Sequence, residues 1–493
     1  MQASALDLVI IAVYLIGITL FGCSFYFRKG GDDAKTFTTG GGKIPNWAIA
    51  LSIFATQVSS ISFLALPAKS YLTNWNCFVL TLTIPIAAVV AAFCFVPFYR
   101  KTKNVSAYTF LEERYGAWAR VYSSACFLVM QTARSGVILF LLALTLKAAL
   151  GFSCFWIIIV TGIVTMLYSM LGGFKAVIWA DAIQTLILLL GAVLVLVFLI
   201  LDLPSGMGIG GALQTAWDAG KFGLGSFDLA GFEKETFWVA FGYGLFVNLQ
   251  NFGIDQSFTQ RYIAAKDDKS AVKSAFHGAM MYIPGTFLFV MIGTFLWIFA
   301  STHQGVVPAD VAAQSDAVYP WYIVNRLPHG AAGLLIAAII AAAMSTVAAT
   351  LNSGSTVLLE DYYKRFFPAR AAKGSNIRFL RTMTVVLTIL GIAVAVAVMN
   401  VKSALTLWWG LQSVLSGGML GLFLLGAYAK RSTSTQAAIA TVLGVLVVIY
   451  ITFGQKICPL PWFIHLNLSI VFGTLTIFFV GWILGAVKRR SRA

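Results

Sequence analysis

The sequence predicts an all-α integral membrane protein with about thirteen transmembrane helices. Three observations predict it. Of 493 residues, 59% are hydrophobic and only 11% charged, against about 25% charged in a soluble domain, and mean hydropathy is +0.86. Apolar stretches near the ~20 residues needed to cross a bilayer recur along the whole chain. Lysine and arginine concentrate in alternate loops, as they do when loops alternate between membrane faces.

The candidate spans are 7–27, 47–72, 76–99, 120–146, 153–171, 176–201, 237–259, 270–300, 330–362, 378–399, 403–428, 433–454 and 461–487. The first is too long for a signal peptide and lacks an Ala-x-Ala cleavage pattern. With the N-terminus outside, 26 of the 34 Lys and Arg residues fall in inner loops and the tail and 7 in outer loops. This asymmetry predicts a periplasmic N-terminus and a cytoplasmic C-terminus. It also reads the net charge of +16 as a membrane-face signal, with no nucleic-acid partner. Residues 1–36 then form a leading helix. Residues 37–202 and 237–428 form two five-helix units of opposite orientation, separated by an outer loop at 203–236. Two trailing helices and a short basic cytoplasmic tail occupy 429–493. That is the inverted-repeat plan of many secondary transporters, argued here from topology, since the halves share no strong identity.

Taken in order, four spans carry chemistry. The second holds "ATQVSSISF" at 55–63, with Gln57, Ser59, Ser60 and Ser62 at mid-depth and Pro67 following. The fourth holds Arg134 in "FLVMQTARSGVILF", with no Asp or Glu within ten residues on either side. An arginine inside a span marks a functional site by default, and guanidinium grips a carboxylate through two parallel hydrogen bonds. A structural arginine paired with Asp181, Asp255 or helix-end carbonyls is the competing reading. The seventh span, "GYGLFVNLQNFGIDQSF", carries three glycines with Asn248, Gln250, Asn251, Asp255 and Gln256. Irregular backbone survives in a bilayer only where it lines a cavity or binds something. The second and seventh spans are the first helices of the two units, which makes them the place to seek a transport site.

The ninth span, "GLLIAAIIAAAMSTVAATLNSGS", is an alanine run that permits close helix approach, interrupted by Ser345 and Thr346. Two hydroxyls with a few freed carbonyls make a hard-oxygen cage suited to Na+, weak enough for an ion that must leave again. Asp181, in "GGFKAVIWADAIQ", is either an ion ligand or a helix-pairing group. The six cysteines read as small core hydrophobes and the four histidines as structural or interfacial. The long outer loops 203–236 and 301–329 are expected to form short surface helices.

With these residues in view, the chain resembles the sodium:solute symporters over about residues 37 to 430. The resemblance rests on "FTTGGGKIPNWAIALSIFAT", "LGGFKAVIWADAIQ", "DQSFTQRY" and "GLLIAAIIAAAMSTVAATLNSGSTVLLEDYY". Within the family, "VSSISFLALPAKSYLTNW" and the arginine of "QTARSGVILF" look most like the bacterial sodium-coupled sialic acid transporters. The resemblance implies a LeuT-like five-plus-five inverted repeat with one leading and two trailing helices, working by alternating access. It implies a Na+ site from the carbonyls of Ala55, Val58 and Ala342 and the hydroxyls of Ser345 and Thr346. It implies a substrate site near Ser59, Ser60, Ser62 and Asn248, with Arg134 anchoring a substrate carboxylate.

Two departures qualify it. Some relatives appear to hold a second Na+ with the aspartate matching Asp181 and further serines where this chain has Ala348 and Ala349, so the second site is expected to be absent or weak. Gln57, Cys77 and Thr81 stand where the sialic acid transporters carry threonine, an aromatic and glutamine. The expectation is therefore a Na+-coupled symporter in a bacterial inner membrane, functional as a monomer and not an enzyme. It would import an acidic sugar, foremost N-acetylneuraminate, with another carboxylate or sugar as the alternative.

Overall fold

The computed structural model describes residues 4–27, 34–102, 104–229, 231–312, 315–374, 376–399, 404–454 and 463–490. Arg28, Lys29, Lys103, Lys402, Lys456 and Arg492 of the charge count, and Cys458, lie outside the described residues. No strand occurs among those described; one isolated bridge joins Ile44 to Ala265.

Fourteen helices build the membrane-embedded part. They are α1 (Ala5–Ser24), α2 (Asn46–Gln57), α3 (Ile61–Leu72), α4 (Trp75–Thr102), α5 (Ala117–Leu150), α6 (Cys154–Leu201) and α7 (Phe237–Ile254). The rest are α8 (Gln256–Ala264), α9 (Asp268–Thr302), α10 (Ala331–Phe366), α11 (Asn376–Ala397), α12 (Ala404–Tyr428), α13 (Ser434–Thr452) and α14 (Ser469–Arg490). The loops 203–236 and 301–329 each hold a helix: Ile209–Asp218 lies at the surface, whereas Ser315–Arg326 is no surface helix, because Val318, Tyr319, Tyr322 and Ile323 are buried.

By length and composition, ten of these cross a membrane, or eleven with α2 and α3 taken as one bent span. The count differs from thirteen at two places. The 48 residues of α6 count once, although a helix of that length is about 72 Å long and one crossing needs only about 30 Å. Gly173 interrupts it with φ 60° and ψ −163°, and a Cβ there would stand 2.7 Å from the Phe37 ring, so both conformation and space demand glycine. The stretch 237–259 does not register as a span because Asn248, Gln250 and Asn251 dilute its apolarity and Asp255 breaks it.

Helix α10 is the core. Its most apolar window is 94% buried, while those of α11, α13 and α14 are 33% buried and that of α1 only 22%. Alanines make this possible: Ala337, Ala338, Ala341, Ala342 and Ala343 let neighbours approach closely. The outer helices instead present Val9, Val13, Ile16 and Leu20 on α1, and Phe479, Trp482 and Ile483 on α14, to the surroundings. An apolar exterior around a partly polar interior is the arrangement a lipid solvent selects.

Two helices break at mid-depth. Between α2 and α3 the axis bends by 60°, with Val58 extended at φ −83° and ψ 123°. Between α7 and α8, Asp255 is extended at φ −73° and ψ 125°, and its side chain caps α8 by accepting from the Ser257 amide. The Ile44–Ala265 bridge ties the start of α2 to the residue after α8. Lys221 donates to the carbonyls of Tyr71 (2.7 Å) and Thr73 (3.0 Å), closing the C-terminal end of α3. Burial of this lysine lowers its pKa.

Candidate functional site at the two helix breaks

The bend between α2 and α3 opens onto a cavity that α7 lines as far as Asn251. Its walls come from α2–α3 (Gln57, Ser59, Ser62), α4 (Cys77, Thr81), α5 (Arg134), α7 (Asn248, Asn251), α9 (Tyr282) and α12 (Trp408, Gln412). The empty volume is ≈ 700 Å³ counting the open mouth.

Arg134 is 9% exposed and points into this cavity. Its Nη2 donates to the Thr56 carbonyl at 2.7 Å, and its guanidinium carbon lies 5.7 Å from the Trp408 ring centroid. Nε is buried without a partner. Among the described residues Arg134 forms no ion pair. Asp181 pairs instead with Arg261 at 2.8 Å, and the Asp255 carboxylate accepts from Gln131 Nε2 at 2.9 Å. Of the structural alternatives, only the helix-end carbonyl is realised, and it uses one of five donors.

The other walls are amides and hydroxyls. Asn248 Nδ2 donates to the Leu80 carbonyl (3.0 Å) and Thr83 Oγ1 (2.9 Å), leaving Oδ1 to accept weakly from Gln57 at 3.5 Å. Gln412 Nε2 donates to Asn251 Oδ1 at 3.2 Å, and Ser62 Oγ lies 3.4 Å from the Tyr282 hydroxyl. Several of these contacts are long enough to yield to a ligand. Ser60 departs from expectation: it does not line the cavity. Its hydroxyl donates to the Ile138 carbonyl at 3.3 Å, because the bend turns it toward α5.

Five further oxygens converge where α2 ends against α10. Ser345 Oγ lies 3.4 Å from the Ala55 carbonyl, and Thr346 Oγ1 lies 3.3 Å from the Val58 carbonyl and 3.2 Å from that of Ala342. These distances exceed the 2.5–3.0 Å of O–H···O bonds. They match the edges of an oxygen polyhedron around a cation at about 2.4 Å, where ligands at right angles are ~3.4 Å apart. The donor set therefore fits Na+. Asp181 neighbours Ser345; its Oδ2 is held by Arg261 and by Ser52 at 2.5 Å, while Oδ1 has no partner. One turn beyond Ser345 on α10, Ala348 and Ala349 are buried and bring no side-chain oxygen.

Cage and cavity share one stretch of chain. Ala55 and Val58 turn carbonyls to the cage, Thr56 turns its carbonyl to Arg134, and Gln57 and Ser59 line the cavity. Lining residues outside the expected set include Asn251, Tyr282, Trp408 and Gln412. Asn251 belonged to the polar cluster of the seventh span. Tyr282 and Gln412 are single polar groups in apolar runs, which is the only signal the sequence offers for them.

Comparison with known proteins places this geometry. The sodium:solute symporter family model matches residues 37–444. The sodium/sialic acid symporter SiaT of Proteus mirabilis (strain HI4320) is 30% identical over 468 residues, covering 94% of this chain and 93% of that one. The sodium/sialic acid symporter NanT of Aliivibrio fischeri (strain ATCC 700601 / ES114) is 28% identical, covering 97% and 92%. A solved Na+-coupled sialic acid symporter, in a substrate-bound outward-open state, superposes with a TM-score of 0.89 at 27% identity over 98% of both chains. The nucleobase-cation-symport-1 family transporter Mhp1 matches with a TM-score of 0.59 at 13% identity, covering 90% and 92%, which speaks to fold alone. The fold is LeuT-like, and the chain is a Na+-coupled transporter of many membrane crossings, not an enzyme: it belongs to the sodium:solute symporter family.

Proposed function

We propose that this chain is a bacterial inner-membrane symporter that imports an acidic sugar of the sialic acid class, foremost N-acetylneuraminate, together with Na+. The observation that carries the reading is Arg134: a guanidinium buried in a cavity at mid-depth, with a single hydrogen bond and no carboxylate against it among the described residues. A cation so placed is costly at bilayer depth, and a substrate carboxylate offsets that cost through a forked, charge-assisted contact. Two relatives are named as sodium/sialic acid symporters, and N-acetylneuraminate supplies such a carboxylate.

Ser59, Ser62, Thr81, Asn248 and Gln57 would bond the sugar hydroxyls and acyl group, with Cys77 against its apolar face. Ala55, Val58, Ala342, Ser345 and Thr346 would hold Na+. The chain's own contribution to coupling lies in residues 55–59. Fixing the carbonyls of Ala55 and Val58 against α10 also fixes Thr56, and with it Arg134, and sets Gln57 and Ser59 in the cavity wall. Affinity in one access state then depends on both solutes, which is the requirement for coupled transport. The N-terminus is periplasmic, the C-terminus cytoplasmic, and the monomer suffices.

Uptake of labelled N-acetylneuraminate into proteoliposomes tests this, with and without an inward Na+ gradient, for the native chain and Arg134→Ala. Uptake that requires Na+ and collapses in the variant is expected. Folded native protein that moves other carboxylates but not this one would retain the symport mechanism and reject the sugar, with Gln57, Cys77 and Thr81 the wall residues responsible.

A further inference from the structure

Charges buried in the protein nearly all find a partner. Among the described residues seven charged side chains are buried: Asp7, Arg134, Asp181, Lys221, Asp255, Arg261 and Asp361. Asp181 pairs with Arg261, and Asp361 with Arg120. Asp7 accepts from the amides of Gly330 and Gly333 and faces His329. Lys221 belongs to the loop 203–236 and caps α3. Arg134 and Asp255 remain, one cation and one anion at the two helix breaks, each without an ionic partner.

They are also neighbours. Asp255 accepts from Gln131 Nε2 at 2.9 Å through one carboxylate oxygen and from the Ser257 amide at 2.8 Å through the other. Gln131 precedes Arg134 by three residues on α5, so both side chains leave one face of that helix. The bases of these two side chains are therefore about 4.5 Å of rise apart, with the Asp255 carboxylate at the tip of the first. Its hydrogen-bond donors Gln131 and Ser257 are neutral, and the cations whose charge reaches it are Arg134 first and then Arg261, which is already paired with Asp181. A long, flexible arginine with an unbonded Nε can cross that distance by rotamer change.

We propose that Asp255 is the internal competitor for Arg134: the guanidinium turns to Asp255 when the cavity is empty and to the substrate carboxylate when it is loaded. The proposal rests on Arg134 being the anion's anchor. Asp255 then has two effects. It keeps the empty site neutral, so the unloaded carrier can reorient across a low-dielectric interior. It also weakens binding enough for the anion to leave. Asp255 does not touch the substrate; it acts through Arg134, with Gln131 holding it in register.

Two experiments on purified protein and proteoliposomes test this. In the first, thermal unfolding without substrate is followed for Arg134→Gln, Asp255→Asn and the double variant. Asparagine can still accept from the Ser257 amide through its one oxygen, and its amide nitrogen can donate to Gln131 Oε1, which has no partner in the native protein, once that amide flips. Each single change leaves a buried charge unbalanced, so the double variant is expected to unfold no lower than the less stable single one. Additive shifts would overturn the pairing. In the second, N-acetylneuraminate transport is measured for Asp255→Asn. With an effective dielectric near 20 and roughly 7 Å between charges, losing the competitor lowers KM about tenfold or more. Net uptake slows because the empty carrier returns poorly, whereas exchange of internal for external substrate continues. An unchanged or raised KM, or equal loss of exchange and net uptake, would reduce Asp255 to a structural residue. The outcomes also separate this proposal from its premise. Non-additive unfolding with intact substrate binding in Arg134→Ala would sink the anchor and with it the competition. Additive unfolding with lost binding would keep the anchor and reject only the role of Asp255.

Discussion

Replacing Arg134 by glutamine removes the charge and the fork while keeping a donor for Thr56. In the native protein the guanidinium already lies 9% exposed, with one hydrogen bond of 2.7 Å and an aromatic face at 5.7 Å. Its desolvation is therefore common to the empty and loaded states and cancels in the affinity. What the substrate gains is two charge-assisted hydrogen bonds, each contributing about 1.5–3 kcal/mol. What it loses in the variant includes the cost of a carboxylate buried without a counter-charge. Truncating one partner of such a pair costs about 2–5 kcal/mol. Taking 3–4 kcal/mol as the centre, Arg134→Gln should weaken substrate binding by about 150- to 700-fold. Arg134→Lys, which keeps the charge but not the planar fork, should fall between. Titration calorimetry of the purified protein at saturating Na+ reads both. A dissociation constant for Arg134→Gln within about threefold of native would refute the anchor and leave Arg134 a helix-end cap.

Thr346→Val removes a cage oxygen that lies near two carbonyls. It should raise the Na+ concentration for half-maximal uptake by about tenfold, the equivalent of ~1.4 kcal/mol, seen in uptake titrated with Na+ at fixed substrate; an unchanged half-saturation would remove Thr346 from the cage. Because Ala348 and Ala349, one turn beyond Ser345, offer no side-chain oxygen, one Na+ should accompany one monoanion. Current measured against substrate flux should then be near zero, whereas about one positive charge per substrate would require a second ion. Gly293→Ala should impair transport and lower thermal stability, since a Cβ there collides with the Pro67 carbonyl oxygen where α9 packs on α3; overpacking of this kind costs about 1–3 kcal/mol, and an unshifted unfolding temperature would show that α3 can move aside.

Much of this site was legible in the chain because polar residues in apolar spans are few and each demands a reason. The cluster at 55–62 marks the bend after Gln57, Asp255 marks the second break, and Ser345 with Thr346 interrupts an alanine run at the cage. Arg134 stands out for its lack of nearby acids. What stayed hidden depends on long-range packing. Ser60 turns away from the cavity because the 60° bend rotates it toward Ile138, which no periodicity at an irregular junction can foretell. Tyr282 and Gln412 enter the wall from α9 and α12, far along the chain from the breaks. The break at Gly173, by contrast, falls in the gap between the spans 153–171 and 176–201, where Gly172, Gly173 and Lys175 interrupt the apolar run.

The central claim is that Na+ and substrate are coupled through residues 55–59, with no need for contact between them. Equilibrium binding of labelled N-acetylneuraminate to purified protein, with Na+ and with Na+ replaced by choline, tests it most directly. Linkage requires Na+ to tighten substrate binding by the factor with which substrate tightens Na+ binding. The account predicts a factor of about ten or more, lost in Thr346→Val. Substrate affinity equal in Na+ and in choline would contradict it.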